Sequence, residues 1–168
     1  MHTLHRALAA TLVVLSACGP DSTLQVVDDP LHRAARSQQV PVEVLAAIAW
    51  TQSRFEPSSP DEHDRELRYG VAQLTEAQVQ QGAALVGREP AAVRDDLEAN
   101  LEATAALLRQ GVPREGAQWD NWLDAAAKLI IDDEDARTGA RAELTAVVSD
   151  GMTVESLGAT IAGVPGLQ

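Results

Sequence analysis

The catalytic interpretation of this sequence depends on Gln52. It lies four residues after Ile48 and three after Ala49, so it would project from the end of the helix that carries the apolar run Leu45–Ala49. A carboxylic acid in such apolar surroundings has a raised pKa and can protonate a leaving group. Gln52 keeps the size and hydrogen-bonding capacity of a glutamic acid, but it has no titratable proton. General acid–base catalysis contributes ~10²–10⁴-fold to a rate, and we expect at least that loss here.

Acidic residues that follow Gln52 are candidates for a displaced acid. They are Glu56, Asp61, Glu62, Asp64 and Glu66. Glu56 would share a helix face with Gln52 only if the helix continued, and Pro57 disfavours that. The other four fall in a polar segment, 57–69, for which we predict a loop. Catalysis by two opposed carboxylates is not indicated either, because no clear pair of that kind is evident.

The elements that would position these side chains are helices. Ala, Leu, Glu and Arg are abundant, only 3% of residues are aromatic, and no alternation of period two is long enough to predict a strand. A capping box at Thr75 and Gln78, with Gly87 as the stop, marks one helix. The expected fold class is all-α. Helices are expected at 30–39, 41–53, 75–86 and 90–110, from 119 or 121 to 131, and at 153–162. The helix that ends at 131 is expected to loosen across 132–135 and to resume up to 148.

The N-terminal segment has the features of an export signal. A short region with Arg6 precedes the apolar stretch Ala7–Leu15, which has the length of a signal-peptide core and is too short to span a membrane. Small residues then precede Cys18, the only cysteine of the chain. This arrangement resembles a bacterial lipobox, which implies lipidation of Cys18, a signal peptide over 1–17 and a tether over 18–30. The alternative is an ordinary signal peptide with an incidental cysteine.

Three blocks in the rest of the chain resemble the lysozyme-like domain of lytic transglycosylases of the soluble type. The blocks are Ile48–Pro57, Tyr69–Leu74, and the segment from Asp96 through Asn100 to Leu108. They occur in the family's order within Val40–Arg109. The resemblance implies a lytic-transglycosylase-like core over 31–112, followed by a C-terminal helical extension over 113–168 that lies outside the resemblance.

The resemblance also implies roles for individual residues. Gln52 occupies the position of the family's catalytic glutamate, which protonates the glycosidic oxygen and then activates the sugar's own 6-hydroxyl. The substrate-binding positions would be Ser53, Tyr69, Gly70 and Gln73. Asn100 is either an exposed polar residue or, as in the family, part of a structural hydrogen bond. A Tyr-Asn pair that lines the family's cleft has no counterpart in Trp122–Lys128.

Several other residues are predicted to have structural or solvent-exposed roles and no role in catalysis or metal binding. Trp50 and Phe55 are expected in the core, and Asp132–Asp135 is expected to be a solvated helix break because it lacks the spacing of a calcium loop. Neither His32 nor His63 has partners at metal-ligand spacing, so no metal and no cofactor is predicted. The formal charge of −12 disfavours nucleic acid, which needs a basic footprint.

Three functions stay open at this stage. The first is a peptidoglycan-associated lipoprotein, catalytically impaired, that binds glycan strands and meets a cell-wall hydrolase in trans. The second is an active lytic transglycosylase that uses a displaced acid, and the third is a helical lipoprotein that contacts another protein. In each, lipid on Cys18 would hold the chain to the periplasmic side of the cell envelope, and Gly19 after the cysteine favours an outer membrane.

Overall fold

The structure is a computed structural model that describes residues 28–56 and 67–167. Within this part 65% of residues are helical, in agreement with the predicted helical class. The helices are α1 (Pro30–Gln38), α2 (Val42–Ser53), α3 (Glu76–Val86), α4 (Pro90–Asp95), α5 (Leu97–Gln110), α6 (Trp119–Ile130) and α7 (Glu134–Asp150). The predicted signal segment, Cys18 and four of the five candidate acids lie outside the described residues.

Helix ends follow the local signals in the sequence. The Thr75 hydroxyl accepts a hydrogen bond from the Gln78 amide at 3.2 Å, and the Gln78 side chain accepts one from the Thr75 amide at 2.8 Å. Gly87 ends α3 in the left-handed region with φ +67°. Pro41 differs slightly from its predicted place, since it is the N-cap of α2 instead of a first-turn residue.

A segment that was predicted as one helix forms two helices, α4 and α5, in the structure. The segment expected to run unbroken from Pro90 to Gln110 breaks at Asp96, whose backbone is extended with φ −104° and ψ 128°. The Asp96 carboxylate accepts a hydrogen bond from the Ala99 amide at 2.8 Å and so caps α5. Aspartate competes with helical hydrogen bonding in this way, which makes it a better cap than interior residue.

Short strands qualify the all-α prediction. β1 (Arg68–Tyr69) pairs antiparallel with β2 (Leu74–Thr75), and β3 (Gly151–Val154) pairs antiparallel with β4 (Ala159–Ala162) around a 3₁₀ turn at Glu155–Leu157. The predicted helix over 153–162 is therefore wrong. In β4 the buried residues Ala159 and Ile161 alternate with exposed neighbours, and this period of two fits a strand.

The core is centred on α2 and α5. Six consecutive residues of α2, Val44–Ala49, are fully buried, and Leu101 and Leu108 of α5 are buried as well. The same apolar cluster continues through Leu144 of α7 and Ile161 of β4. In the part of the chain that the structure describes, each helix is too short or too polar to cross a bilayer.

Candidate functional site

Ser53 connects the end of α2 to the turn that follows β1. Its hydroxyl lies 2.8 Å from the Val71 carbonyl and 3.2 Å from the Ala49 carbonyl one turn back in its own helix. A hydroxyl has one proton, and the shorter distance favours donation to Val71. The residue after Gln52 therefore anchors the Gly70 turn, which we define as Tyr69–Gln73.

Gly70 permits a close approach between the backbone of the turn and the Asn100 side chain that no other residue type allows. Its φ is +67°, and a Cβ atom built on it would lie 2.1 Å from Nδ2 of Asn100. The turn closes on itself, because the Gln73 amide donates to the Gly70 carbonyl at 3.3 Å and the Gln73 side-chain amide donates to the same oxygen at 2.8 Å. Gln73 is thus a residue that shapes the turn.

Asn100 holds the other side of the Gly70 turn. Its side chain is fully buried in α5. Oδ1 accepts from the Ala72 amide at 3.1 Å, while Nδ2 donates to the carbonyls of Val93 at 2.9 Å and Tyr69 at 3.3 Å. Of the two alternatives open from the sequence, the structure shows the structural hydrogen bond and not the exposed position.

Gln52 is only half-buried at the end of α2. Its side chain makes no hydrogen bond to any residue of 28–56 or 67–167, in contrast to its neighbour Ser53. No hydrogen bond joins it to Gln73 or Tyr69 in that part of the chain. The amide therefore keeps both its donors and its acceptor available.

Tyr69 is held on the side of the turn that faces α3 and α4. The guanidinium of Arg94 lies 5.5 Å from the centroid of its ring, and Arg94 also bonds Glu76 at 3.2 Å between Nε and Oε2. The pKa of Glu76 is lowered, chiefly by hydrogen bonds from Arg94 and Gln80, with a smaller contribution from the Tyr69 hydroxyl. Tyr69 thus belongs to a charged cluster with Arg94 and Glu76.

A groove beside the end of α2 was not predicted. We call it the hairpin groove; its volume is about 420 Å³, and it is lined by Trp50, Arg54, Glu56, Thr153, Val154, Glu155 and Ser156. Both Trp50 and Phe55 were expected in the core. Phe55 is buried there, whereas Trp50 is only half-buried. The hairpin half of the groove was missed because residues 153–162 were predicted as a helix; the β-branched residues around Val154 and Ile161 were the available signal.

Metal binding finds no support in the described residues. No group of three or more histidine, cysteine, aspartate or glutamate side chains there is placed to hold an ion. Asp133 instead caps α7, because its carboxylate accepts from the Ala136 amide at 2.9 Å. The acidic run 132–135 therefore coincides with a helix break.

Comparison of the chain with protein-family models, with curated proteins and with solved structures found no match. Function must therefore be inferred from the residues and their geometry. Three features bear on it: the hydrogen-bonded Gly70 turn, the unengaged amide of Gln52, which precedes Ser53 in α2, and the hairpin groove.

Proposed function

We propose that the protein is a peptidoglycan-associated lipoprotein whose lytic-transglycosylase-like domain binds glycan strands and is catalytically impaired. The supporting observation is that the three blocks of the resemblance contact one another. Ser53 of the first bonds Val71 of the second, and Asn100 of the third bonds Tyr69 and Ala72 on the same turn. These blocks lie far apart in sequence, and their assembly at one point is what a shared fold would require.

The impairment follows from the chemistry of residue 52. An amide cannot protonate a glycosidic oxygen or accept a proton from the sugar hydroxyl, and both steps need one titrating group. Glu56 is the only described candidate for a displaced acid, and it lies beyond the end of α2 among the residues of the hairpin groove. On this account Glu56 does not replace a glutamate at position 52.

Binding of a glycan strand does not require a proton donor. Glycan strands present hydroxyl and N-acetyl groups, which are donors and acceptors of hydrogen bonds. The Gln52 amide can serve both, since none of its capacity is used by another described residue. The Gly70 turn beside it is held from both sides, which keeps the orientation of its peptide groups fixed.

Co-sedimentation with purified sacculi tests this proposal. We expect the full-length chain to sediment with sacculi, and Gln52→Ala to lower the bound fraction several-fold. The matched control is Gln81→Ala, an exposed glutamine of α3 that bonds only Gln110, which should bind like the wild type. Absence of sedimentation by the wild type would favour the protein-interaction function instead.

Zymography of the wild type separates binding from cleavage. We expect no clear band in a peptidoglycan gel, because residue 52 lacks a proton to donate. A clear band would support an active enzyme with a displaced acid. In that case Glu56→Gln would show whether Glu56 or an acid outside the described residues is responsible.

A further inference from the structure

The lining of the hairpin groove does not include Gln52. On the α2 side the groove is lined by Trp50, which lies in the helix, and by Arg54 and Glu56, which follow its end. The opposite wall is the C-terminal hairpin, which lies outside the three blocks of the resemblance. A ligand in this groove would therefore be bound by residues other than Gln52.

Three charged side chains line this groove without neutralising one another. Arg54, Glu56 and Glu155 form no ion pair among themselves or with any other described residue. Arg33, Arg88, Arg94 and Arg141 each pair with a carboxylate within 3.1 Å, whereas Arg54, like Arg109, Arg114 and Arg137, has no carboxylate partner among the described residues. One unpaired positive charge and two unpaired negative charges thus face a common space of about 420 Å³, a size typical of small-molecule sites.

Arg54 is preorganised to bind a ligand. Its guanidinium lies 4.9 Å from the centroid of the Trp50 ring, and Nη1 donates to the Trp50 carbonyl at 2.9 Å. The other guanidinium N–H groups donate to no described residue. Because stacking and the backbone bond already fix the planar fork, little side-chain freedom is lost when it binds a carboxylate.

The backbone beside Arg54 holds the groove wall in an uncommon conformation. Arg54 and Phe55 both have positive φ, 57° and 63°, which is costly for residues with side chains. The buried Phe55 ring anchors this turn in the core. Its two neighbours, Arg54 and Glu56, are consequently exposed at the groove.

We propose that the hairpin groove binds a short zwitterionic peptide. Arg54 would bind the terminal carboxylate through its free N–H groups, and Glu56 with Glu155 would bind the terminal ammonium. The hydroxyls of Thr153 and Ser156 would bond the peptide groups between them. A ligand with both charges satisfies all three side chains, whereas an anion alone would face two carboxylates and a cation alone would face Arg54.

Isothermal titration calorimetry with the full-length chain and trialanine tests the proposal. We expect trialanine with free ends to bind about tenfold more tightly than N-acetyl-trialanine or trialanine amide, because each blocked form loses one charge-assisted contact. Equal affinities of the three peptides, or no binding up to millimolar concentration, would overturn the proposal.

Variants assign each charge to its partner. Arg54→Gln should lower the affinity for trialanine about tenfold, yet change the affinity for trialanine amide by less than about twofold. Glu155→Gln should likewise lower the affinity for trialanine about tenfold, yet change the affinity for N-acetyl-trialanine by less than about twofold. Arg114→Gln and Glu143→Gln are exposed controls away from the groove and should bind like the wild type. If neither groove variant weakens trialanine, the proposal is wrong. Arg54 and Glu155 lie on different elements, so misfolding of one variant leaves the other informative.

Peptide binding and glycan binding can fail independently. Sacculus co-sedimentation that depends on Gln52, without trialanine binding, would leave the proposed function standing and remove this site. Trialanine binding without co-sedimentation would do the reverse.

Discussion

The Gly70 turn and the C-terminal hairpin are both short reversals of the chain, but different forces hold them. The Gly70 turn is fixed by side chains that bond backbone groups, Ser53 from α2 and Asn100 from α5. The hairpin is fixed by its own backbone ladder and by apolar side chains such as Val154 and Ile161 that pack on the core. A turn of the first kind depends on a few irreplaceable residues, whereas a hairpin of the second kind depends on apolar area.

The largest expected effect is that of Gly70→Ala. The new Cβ would meet Nδ2 of Asn100 at 2.1 Å, so the buried amide must move and lose its bonds, in addition to the strain at φ +67°. We expect a loss of about 5 kcal/mol in the free energy of unfolding, measured by urea denaturation. Gly87→Ala is the matched control: its φ is also +67° but no atom lies within 4 Å, and it should cost about 1 kcal/mol. Similar losses for the two variants would contradict the role given to Asn100.

Asn100→Ala removes the three hydrogen bonds of the Asn100 side chain but, unlike Gly70→Ala, adds no strain to the turn. Three backbone groups lose a partner, and two of these bonds are fully buried. We expect a loss of about 4 kcal/mol. Thr104→Val is the control in the same helix; Thr104 is equally buried but makes only a bond to the Asn100 carbonyl, so about 1 kcal/mol is expected. A loss below 2 kcal/mol for Asn100→Ala would mean that water replaces its bonds.

The hairpin should respond to lost apolar area. Ile161 is 3% exposed in β4, and Ile161→Ala should cost about 3 kcal/mol through lost burial and a residual cavity. Thr160→Ala, one residue away on the exposed face of the same strand, should change stability by less than about 1 kcal/mol. Equal effects at the two positions would contradict the strand assignment, because a strand turns consecutive side chains to opposite faces.

The smallest effect concerns Asp29, which caps α1. Its carboxylate lies 2.9 Å from the backbone amide of His32 and 2.7 Å from Nδ1 of the His32 ring. Burial raises the pKa of Asp29, but these bonds outweigh burial and lower the pKa below its usual value of 3.8. The resulting stability is present above about pH 4 and is lost as the pH falls through the folded pKa. Asp29→Asn keeps the cap and should cost about 1 kcal/mol at pH 7 in urea denaturation, a difference that vanishes near pH 2.

A control for the Asp29 variant is available at another helix. Asp133→Asn changes the cap of α7, where the carboxylate bonds only the Ala136 amide. Asparagine caps as well as aspartate, so the expected change at pH 7 is below about 0.5 kcal/mol. A loss as large as that of Asp29→Asn would mean that the charge at a cap, and not the His32 contact, is responsible.

Local signals made much of the fold predictable. The Thr75–Gln78 capping box, Gly87 and the two prolines that begin α1 and α4 set helix ends that depend on adjacent residues only. The break at Asp96 was missed because the apolar positions keep helical spacing across it, and the hairpin was missed because four-residue strands give too few alternations to be distinguished from a helix.

The candidate site also contains one part that could be predicted from the sequence and one part that could not. Ser53, Gly70 and Asn100 were singled out by their place in short motifs, and their contacts link residues 18 to 31 positions apart. The hairpin groove could not be predicted, because it arises from the packing of residues 153–156 against the end of α2, about 100 residues away in sequence.

The most direct test of the account is peptidoglycan cleavage by Gln52→Glu. If residue 52 occupies the place of a catalytic acid in an otherwise suitable site, the variant should release fragments with anhydro ends at a rate ~10²–10⁴-fold above the wild type. Gln81→Glu, which adds the same acid on an exposed face of α3, should release none. A correctly folded Gln52→Glu protein that binds sacculi and still releases nothing would contradict the account.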